Sequence, residues 1–234
     1  MWPTSAQQLI EAQTALAAAT PDPWRATATP ERPDSHPDLA SVAIGACVIV
    51  FPRGMTGRGR HGDPAWAAAA VLLRRGIVAE ATVNTHAAGP YVPGLLALRE
   101  GPGLESAVRA LPVTPAVLLV DATGRDHPRR AGLALHLGAV TGLPTVGVTH
   151  RPLLAHGEWP EDTRGARASL WLEGSVVGAW LRTRRGARPL AVHPGWRTTL
   201  DDAIDVALAA SLGHRTPEPL RFARHLARIA RANG

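Results

Sequence analysis

Residues 118–130 constrain the fold of this chain more than any other stretch, because they join an apolar run to an acid and then to a basic loop. The apolar run at 116–120 is typical of a buried strand whose carboxyl end, where open α/β sheets bind ligands, would carry Asp121. The loop that follows contains arginines at 125, 129 and 130. Pro128 suits the first position of a helix, whose N-terminus would add partial positive charge. The pattern predicts a site for an anionic partner such as a phosphodiester backbone, or, equally well, an acid that only caps the helix.

The composition excludes several classes of protein. With 234 residues, 45% of them hydrophobic, the chain can build one sizeable core, so we expect a single domain over residues 1–234. Cys47 is the only cysteine, so disulfide bonds cannot organise the fold. The first residues lack the pattern of a signal peptide, and no run approaches the roughly 20 apolar residues of a membrane span. We therefore expect a cytoplasmic protein.

The basic residues favour a nucleic-acid partner without proving one. The formal net charge is +6, and all 25 basic residues are arginine. Arginine binds phosphate in a bidentate manner, and a basic surplus favours nucleic acid through counterion release. Four arginines share one face of a predicted C-terminal helix, at positions 221, 224, 228 and 231. A solvated surface explains these charges as well as a phosphate track does.

Apolar periodicity and turn residues predict a mixed α/β sheet flanked by helices. Helices are expected up to about residue 19, after a cap at Thr4 or Ser5, and at 94–109, 128–137, 200–212 and 219–232. Strands are expected at 42–51, 66–74, 77–85, 116–121, 144–148, 169–171 and 176–182. The prolines between 20 and 37 indicate an extended connector, and 149–167 is expected to be irregular.

A second motif, at 90–100, reads Pro-Tyr-Val-Pro-Gly-Leu-Leu-Ala-Leu-Arg-Glu. Pro-Tyr-x-Pro-Gly and Leu-x-x-Arg-Glu, about twenty residues before Val-Asp-x-x-Gly-x-x-His-Pro-Arg-Arg, resemble endonuclease V, a family of repair nucleases that recognise deaminated bases. Pro-Thr-Val-Gly-Val at 144–148 and Pro-Glu-Pro-Leu-Arg at 217–221 resemble the same family. The resemblance covers nearly the whole chain and implies a ribonuclease H-like fold, whose element order matches the one predicted above.

The resemblance implies a site for Mg²⁺, with Mn²⁺ as an alternative, held by three carboxylates. Glu100 and Asp121 match two of them, although a surface helix acid and a helix cap are the structural alternatives. Where the family has Gly-x-Asp-Val, this chain has Gly-Ala-Cys-Val, which places Cys47 at the third position. A thiol is mostly neutral at pH 7 and is a soft ligand, so Cys47 is better suited to a buried apolar role.

The histidines and one tryptophan depart from the family in part. His127, in the retained His-Pro-Arg-Arg segment, is the histidine that we expect to assist catalysis near the scissile phosphate. Trp196 replaces the histidine of Gly-His-Arg, which the resemblance places near the metal; it would stack on a base instead. His150 replaces a lysine and would meet a phosphate when protonated, or be an ordinary exposed histidine.

Tyr91, the only tyrosine, matches the family's wedge, which enters the duplex and fills the gap left by a flipped base. The resemblance also assigns contacts with nucleic acid to Pro90, Pro93, Gly124, Arg129, Arg130, His150 and Trp196. The expected function is cleavage of inosine-containing nucleic acid, DNA rather than RNA, on the 3′ side of the lesion. The alternatives are a non-catalytic module that only binds such lesions and a nuclease that uses another metal. No membrane or obligate protein partner is expected.

Overall fold

The computed structural model describes residues 2–25 and 39–234. Its helices are α1 Ala6–Ala18, α2 Leu96–Arg109, α3 Leu133–Thr141, α4 Leu200–Ala209 and α5 Glu218–Asn233. Its strands are β1 Ile44–Val50, β2 Pro64–Leu73, β3 Gly76–His86, β4 Val117–Val120, β5 Thr145–Thr149, β6 Arg167–Leu172, β7 Ser175–Leu181 and β8 Leu190–Pro194. Most of the predicted connector at 20–37 lies outside the described residues. Within them, no helix is both long and apolar enough to span a membrane.

The eight strands form one mixed sheet in the order β3-β2-β1-β4-β5-β8-β7-β6. The central strands β1, β4 and β5 run parallel, whereas the remaining pairs are antiparallel. Strand β4 is buried along its whole length, as expected for a short apolar strand with helices on both faces. The predicted α/β class, a mixed sheet flanked by helices, is thereby confirmed.

Two hydrophobic cores lie on the two faces of the sheet. Side chains of α1, α2 and α3 pack on one face, and side chains of α4 and α5 pack on the other. The four consecutive alanines at 67–70 in β2 are fully buried, and both α2 and α5 contact this strand. Because alanine has a small side chain, the two helices can approach the strand closely from opposite sides. Helix α5 thus reaches the region where β1 and β4 end.

One predicted helix begins later than expected, and one strand was not predicted. The helix predicted at 128–137 begins only at Leu133, and Arg130 has a positive φ of 56°, which is incompatible with a continuing helix. Pro128 therefore lies in a turn, and no helix N-terminus adds its charge there. Strand β8 was missed because its five residues follow an arginine- and glycine-rich stretch, come directly after Pro189 and end in Pro194, which indicated a loop.

His136 in α3 makes the stability of this face depend on pH. The side chain is 3% exposed, stacks on Trp2 with ring centroids 4.6 Å apart, and has no hydrogen-bond partner for Nδ1 within the described residues. Burial lowers the pKa of His136 from 6.5 to about 4. Between these two values the unfolded chain binds the proton and the folded chain does not, so the protein loses stability as pH falls from about 7 to 4.

Replacing this ring tests the effect. His136→Phe keeps an aromatic partner for Trp2 and removes the titration. The free energy of unfolding of the variant minus that of the wild type should therefore be about 2 kcal/mol larger at about pH 5 than at about pH 8. Urea unfolding at the two pH values measures the difference. The same change at the exposed His225 serves as the control. An equal gain at both pH values for His136→Phe would contradict the explanation.

Candidate functional site

The structure brings Cys47, Glu100 and Asp121 together at the carboxyl end of β4. Cys47 pairs with Val120, the last residue of that strand, and Asp121 follows it directly. Glu100 lies in the first turns of α2, which packs on the same face of the sheet as Cys47. The charge of Asp121 is near enough to raise the pKa of both the Cys47 thiol and the Glu100 carboxyl. Residues far apart in the sequence thus share one small region.

The surroundings of Cys47 and Glu100 raise the pKa of both side chains and so disfavour their charged forms. Cys47 is fully buried, and burial, followed by the charge of Asp121, raises the pKa of its thiol far above the ordinary value. Burial and then Asp121 raise the pKa of Glu100 to about 8, against the opposing effect of Arg99. At neutral pH, therefore, Cys47 is a neutral core side chain, whereas Glu100 holds its proton more tightly than an ordinary glutamate does.

Asp121, the remaining acid, forms an ion pair with an arginine from the opposite face of the sheet. An Nη atom of Arg224, in α5, donates to Oδ2 of Asp121 at 2.6 Å. The Arg224 side chain is 20% exposed and the Asp121 side chain 37% exposed, so the pair is partly sheltered from water. Sequence analysis placed Arg224 only on a basic helix face and missed this contact. The two residues are 103 positions apart, and no local pattern in the sequence indicates a contact over that separation.

These groups do not fit a hard divalent cation. Mg²⁺ requires an octahedral set of oxygen ligands that usually includes carboxylates, and Mn²⁺ favours similar oxygen donors. Here the donors are a buried thiol in place of one carboxylate, the Glu100 carboxyl and an Asp121 carboxylate already bound by a guanidinium. Over residues 2–25 and 39–234, no group of three or more His, Cys, Asp or Glu side chains is arranged to hold a metal.

A cleft of about 230 Å³ opens beside Asp121. Its walls include Tyr91 and Gly94 from the Pro-Tyr-x-Pro-Gly segment, His127 from the loop after β4, and Leu153 from the segment after β5. Tyr91 is 44% exposed, and its backbone N–H donates to the carbonyl of Arg58 at 2.6 Å, which fixes the turn that carries the ring. Pro90 and Pro93 flank it and are exposed.

The carbonyl of Gly94 is a point of convergence in this cleft. It accepts hydrogen bonds from Nε2 of His127 at 3.0 Å, from Nη2 of Arg129 at 2.8 Å and from Nε2 of Gln13 at 3.1 Å. The Nδ1 atom of His127 accepts from the backbone N–H of Arg129 at 3.2 Å, so the ring proton is on Nε2. Burial lowers the pKa of His127 to about 4. His127 is thus neutral with both ring nitrogens bonded inside the protein, an arrangement suited to positioning the Tyr91 segment.

Three other residues that were predicted to contact nucleic acid, Arg130, Gly124 and His150, are not among the residues that line the cleft. Arg130 donates to Glu173 and to the carbonyl of Leu172, at 2.9 and 3.0 Å, so it points toward the turn between β6 and β7. Gly124 packs against the carbonyl of Pro194, where a Cβ atom would collide. His150 follows β5 and is exposed near Asp121, since the charge of Asp121 acts on it.

Trp196 lies at the other end of the sheet. Its backbone N–H donates to Oγ1 of Thr145 at 2.8 Å, and Thr145 is the first residue of β5. Because β4 and β5 are parallel, the start of β5 is opposite the edge that carries Asp121. Position 196 is therefore separated from Asp121 by the length of β5, and the stacking of Trp196 on a base stays a prediction. The antiparallel pairing of β8 with β5, which puts Pro194 beside Val146, is the reason.

Asp126 is a structural residue of this site that sequence analysis missed. It is fully buried, and its carboxylate accepts the backbone N–H groups of Leu153, Leu154 and Ala155 at 2.5, 2.9 and 2.8 Å. Leu153 lines the cleft, so this carboxylate holds one wall in place. An acid in a basic loop carried no sign of such partners, because backbone groups are not encoded by residue type.

Comparison with known proteins identifies relatives across the chain. The endonuclease V family model matches residues 54–225. Endonuclease V of Streptomyces coelicolor is 44% identical over 167 residues, which are 70% of this chain and 72% of that protein. The crystal structure of endonuclease V from Streptomyces avermitilis has a TM-score of 0.84 and 34% identity, and the match covers 99% of this chain and 95% of that chain.

A more distant structure shares the fold. Endonuclease V of Ciona intestinalis, crystallised with a 24mer DNA containing an inosine, has a TM-score of 0.76 and 20% identity, with 97% and 98% of the two chains covered. Together with the Streptomyces structure, it confirms the predicted ribonuclease H-like fold. The family model covers well over half of the residues, and the bacterial relatives match along most of their length. The chain therefore belongs to the endonuclease V family.

Proposed function

We propose that this protein binds nucleic acid containing a deaminated base such as inosine, DNA in preference to RNA, and cleaves it feebly or not at all. The observation that carries the proposal is the cleft beside Asp121 with the exposed Tyr91 ring on its wall. The Ciona relative bound to inosine-containing DNA supports this class of ligand. A binding assay that compares inosine-containing and unmodified duplexes, as DNA and as RNA, tests it.

The Tyr91 segment has the properties that a wedge needs. Flipping a base out of a duplex costs a few kcal/mol, and stacking on an inserted ring recovers part of that cost. The turn that carries Tyr91 is fixed by its bond to Arg58, and three donors hold the carbonyl of Gly94. In this proposal Tyr91 fills the gap in the duplex, the flipped base enters the cleft, and His127 and Arg129 position the segment.

Metal-dependent cleavage is the second candidate function, favoured by the retained acids Glu100 and Asp121. The family resemblance implies cleavage on the 3′ side of the lesion with Mg²⁺ or Mn²⁺. Against it stand the neutral Cys47 and the guanidinium of Arg224 bound to Asp121. We therefore place lesion binding ahead of cleavage. A nicking assay with several divalent metals, Zn²⁺ among them, separates the two functions.

Changing Tyr91→Ala should reduce the preference for inosine-containing duplex over unmodified duplex by about tenfold, because base–aromatic stacking contributes about 1–3 kcal/mol. Most of the salt-sensitive affinity should remain, since phosphate contacts are independent of the ring. Fluorescence anisotropy with both duplexes at several salt concentrations measures the two quantities. Tyr91→Phe, which keeps the ring, is the matched control and should behave like wild type. If Tyr91→Ala weakens binding to both duplexes equally, the ring has only a structural role.

A further inference from the structure

The contact between Arg224 and Asp121 joins two elements that approach the site from different sides. Asp121 follows β4 directly, and Arg224 extends from α5, which is anchored to the sheet by the buried Leu220, Ala223 and Ala227. The helix therefore fixes the backbone of Arg224 on both sides of that residue. The guanidinium ends 2.6 Å from Oδ2 of Asp121, within the distance of a charge-assisted hydrogen bond.

We infer that the guanidinium of Arg224 takes the place of a divalent cation: it neutralises Asp121 and, with Arg215 and His150, receives a phosphate of the bound strand. Nucleic-acid binding by this protein then requires no metal. The inference rests on the proposed function, because it names the groups that hold the strand beside the lesion cleft. It goes beyond that function in assigning phosphate contacts to Arg224 and Arg215, for which the resemblance to endonuclease V implies no role; His150 was already expected to meet a phosphate.

The neighbouring charges favour an anion at this place. Arg215 donates through Nε to the carbonyl of Arg188 at 2.7 Å and through Nη2 to the carbonyl of Pro189 at 2.9 Å, which leaves other N–H groups of its guanidinium available. Pro189 directly precedes β8, whose Ala191 pairs with Thr149 at the end of β5, so Arg215 lies at the edge of the sheet that carries His150. The charges of Arg215, Asp121 and Arg224 also act on the His150 ring, whose pKa is lowered chiefly by burial. Arg224 and Arg215 carry two positive charges against the one negative charge of Asp121, so these three groups have a net positive charge.

The same cluster disfavours a divalent cation. A metal ion that approached Asp121 would meet the positive charge of Arg224, and it could use Oδ2 as a ligand only by displacing the guanidinium. Cys47, on the other side, offers a protonated thiol in the core in place of a carboxylate. A phosphate oxygen, by contrast, can accept hydrogen bonds from the remaining N–H groups of Arg224 without breaking its ion pair.

The first experiment measures binding of a fluorescent inosine-containing duplex in excess EDTA and in Mg²⁺ at equal ionic strength. The inference predicts dissociation constants that agree within about twofold, because the cation is part of the chain. Loss of binding in EDTA that Mg²⁺ restores would overturn it.

The second experiment compares two arginines of the same helix. Arg224→Gln should weaken binding about tenfold and lower the slope of log affinity against log salt by about one, as expected for one lost phosphate contact. Arg228→Gln removes the same charge from an exposed position one turn later and should weaken binding by only about twofold. Equal effects of the two changes would show that Arg224 contributes only general charge and would overturn the phosphate site. Thermal melts verify that both variants are folded.

The third experiment does not depend on inosine recognition. Titration with Mn²⁺, followed by the electron paramagnetic resonance signal of the free ion, should show no bound ion in the wild-type protein. The double variant Cys47→Asp, Arg224→Gln should bind one Mn²⁺, because it regains a carboxylate and loses the competing cation. Stoichiometric Mn²⁺ binding by the wild type would overturn the inference. If the protein showed no preference for inosine, the proposed function would fail, whereas this titration and the salt slopes on unmodified duplex would still test Arg224.

Discussion

Wild-type protein should nick inosine-containing DNA in Mg²⁺ at least about a thousandfold more slowly than the variant Cys47→Asp, Arg224→Gln, a difference of about 4 kcal/mol in activation free energy. Hydrolysis of a phosphodiester in this class depends on a hard cation held by carboxylates. The wild-type chain presents a neutral Cys47 and an Asp121 carboxylate bound by Arg224. The double change supplies a third carboxyl group and frees the one that is already there. Single-turnover nicking assays measure the ratio.

Two further variants make this result specific. Adding Asp121→Asn to the double variant should remove the gain, because it deletes the carboxylate that the change has freed. Adding Trp196→His should have little effect, because Trp196 packs at the opposite end of β5. Rapid cleavage by the wild-type protein, abolished by Asp121→Asn, would show instead that two acids suffice and that Arg224 moves aside.

The fully buried Cys47 position is the main risk in that experiment. An aspartate there has no compensation for its burial unless a cation binds, so Cys47→Asp should lower the melting temperature in EDTA. Mg²⁺ should restore part of the loss in the double variant, by mass action. A stable double variant that binds inosine duplex yet neither gains a metal nor nicks would show that more of the site has been lost than these two positions.

Asp126→Ala should destabilise the protein by about 3–5 kcal/mol, because three backbone N–H groups, one buried and two partly buried, would lose the buried carboxylate that accepts from them. For a chain of this size, that corresponds to a fall of about 6–10 °C in melting temperature. The loss should also weaken inosine binding in the fraction that stays folded, because the segment from Leu153 to Ala155 forms a wall of the cleft. Calorimetry and the duplex-binding assay measure the two effects.

Two other aspartate substitutions serve as controls. Asp126→Asn keeps one oxygen acceptor and should fall between Asp126→Ala and the wild type. Asp201→Ala removes an acid that is 80% exposed and pairs with Arg167 at the surface, so it should change stability by less than about 1 kcal/mol. If Asp126→Ala were as mild as Asp201→Ala, the segment after β5 would not depend on this carboxylate.

The sequence predicted most of the fold because strand and helix periodicity is a local signal. Strand β4, its terminal acid and the antiparallel strands before it were all foreseen from short apolar runs. Strand β8 was not, because the four residues between two prolines carry too short a pattern. The helix predicted at 128–137 began late because Pro128 is compatible with a tight turn as well as with a helix start.

The candidate site was predicted less completely, because its contacts join residues that are far apart in the sequence. Motifs located Tyr91, Glu100 and Asp121 along the chain, but they carried no information about which cation each acid meets in space. Arg224 repeats at helical spacing with other arginines, a pattern that looks the same whether the side chain is solvated or paired. The location of Trp196 depends on how β8 pairs with β5, and sequence proximity to a glycine and an arginine could not reveal that pairing.

The three donors on the carbonyl of Gly94 have a consequence for the thermodynamics of recognition. One of them, Gln13, is a buried residue of α1, and its Oε1 also accepts from Nε of Arg129 at 2.6 Å. Helix α1 therefore restricts the conformations of the Tyr91 segment before any ligand arrives, which lowers the entropy lost on binding. Substitutions of α1 residues that do not line the cleft would accordingly change the affinity for damaged duplex, and selection for recognition would act on the packing of the N-terminal helix as well as on the cleft.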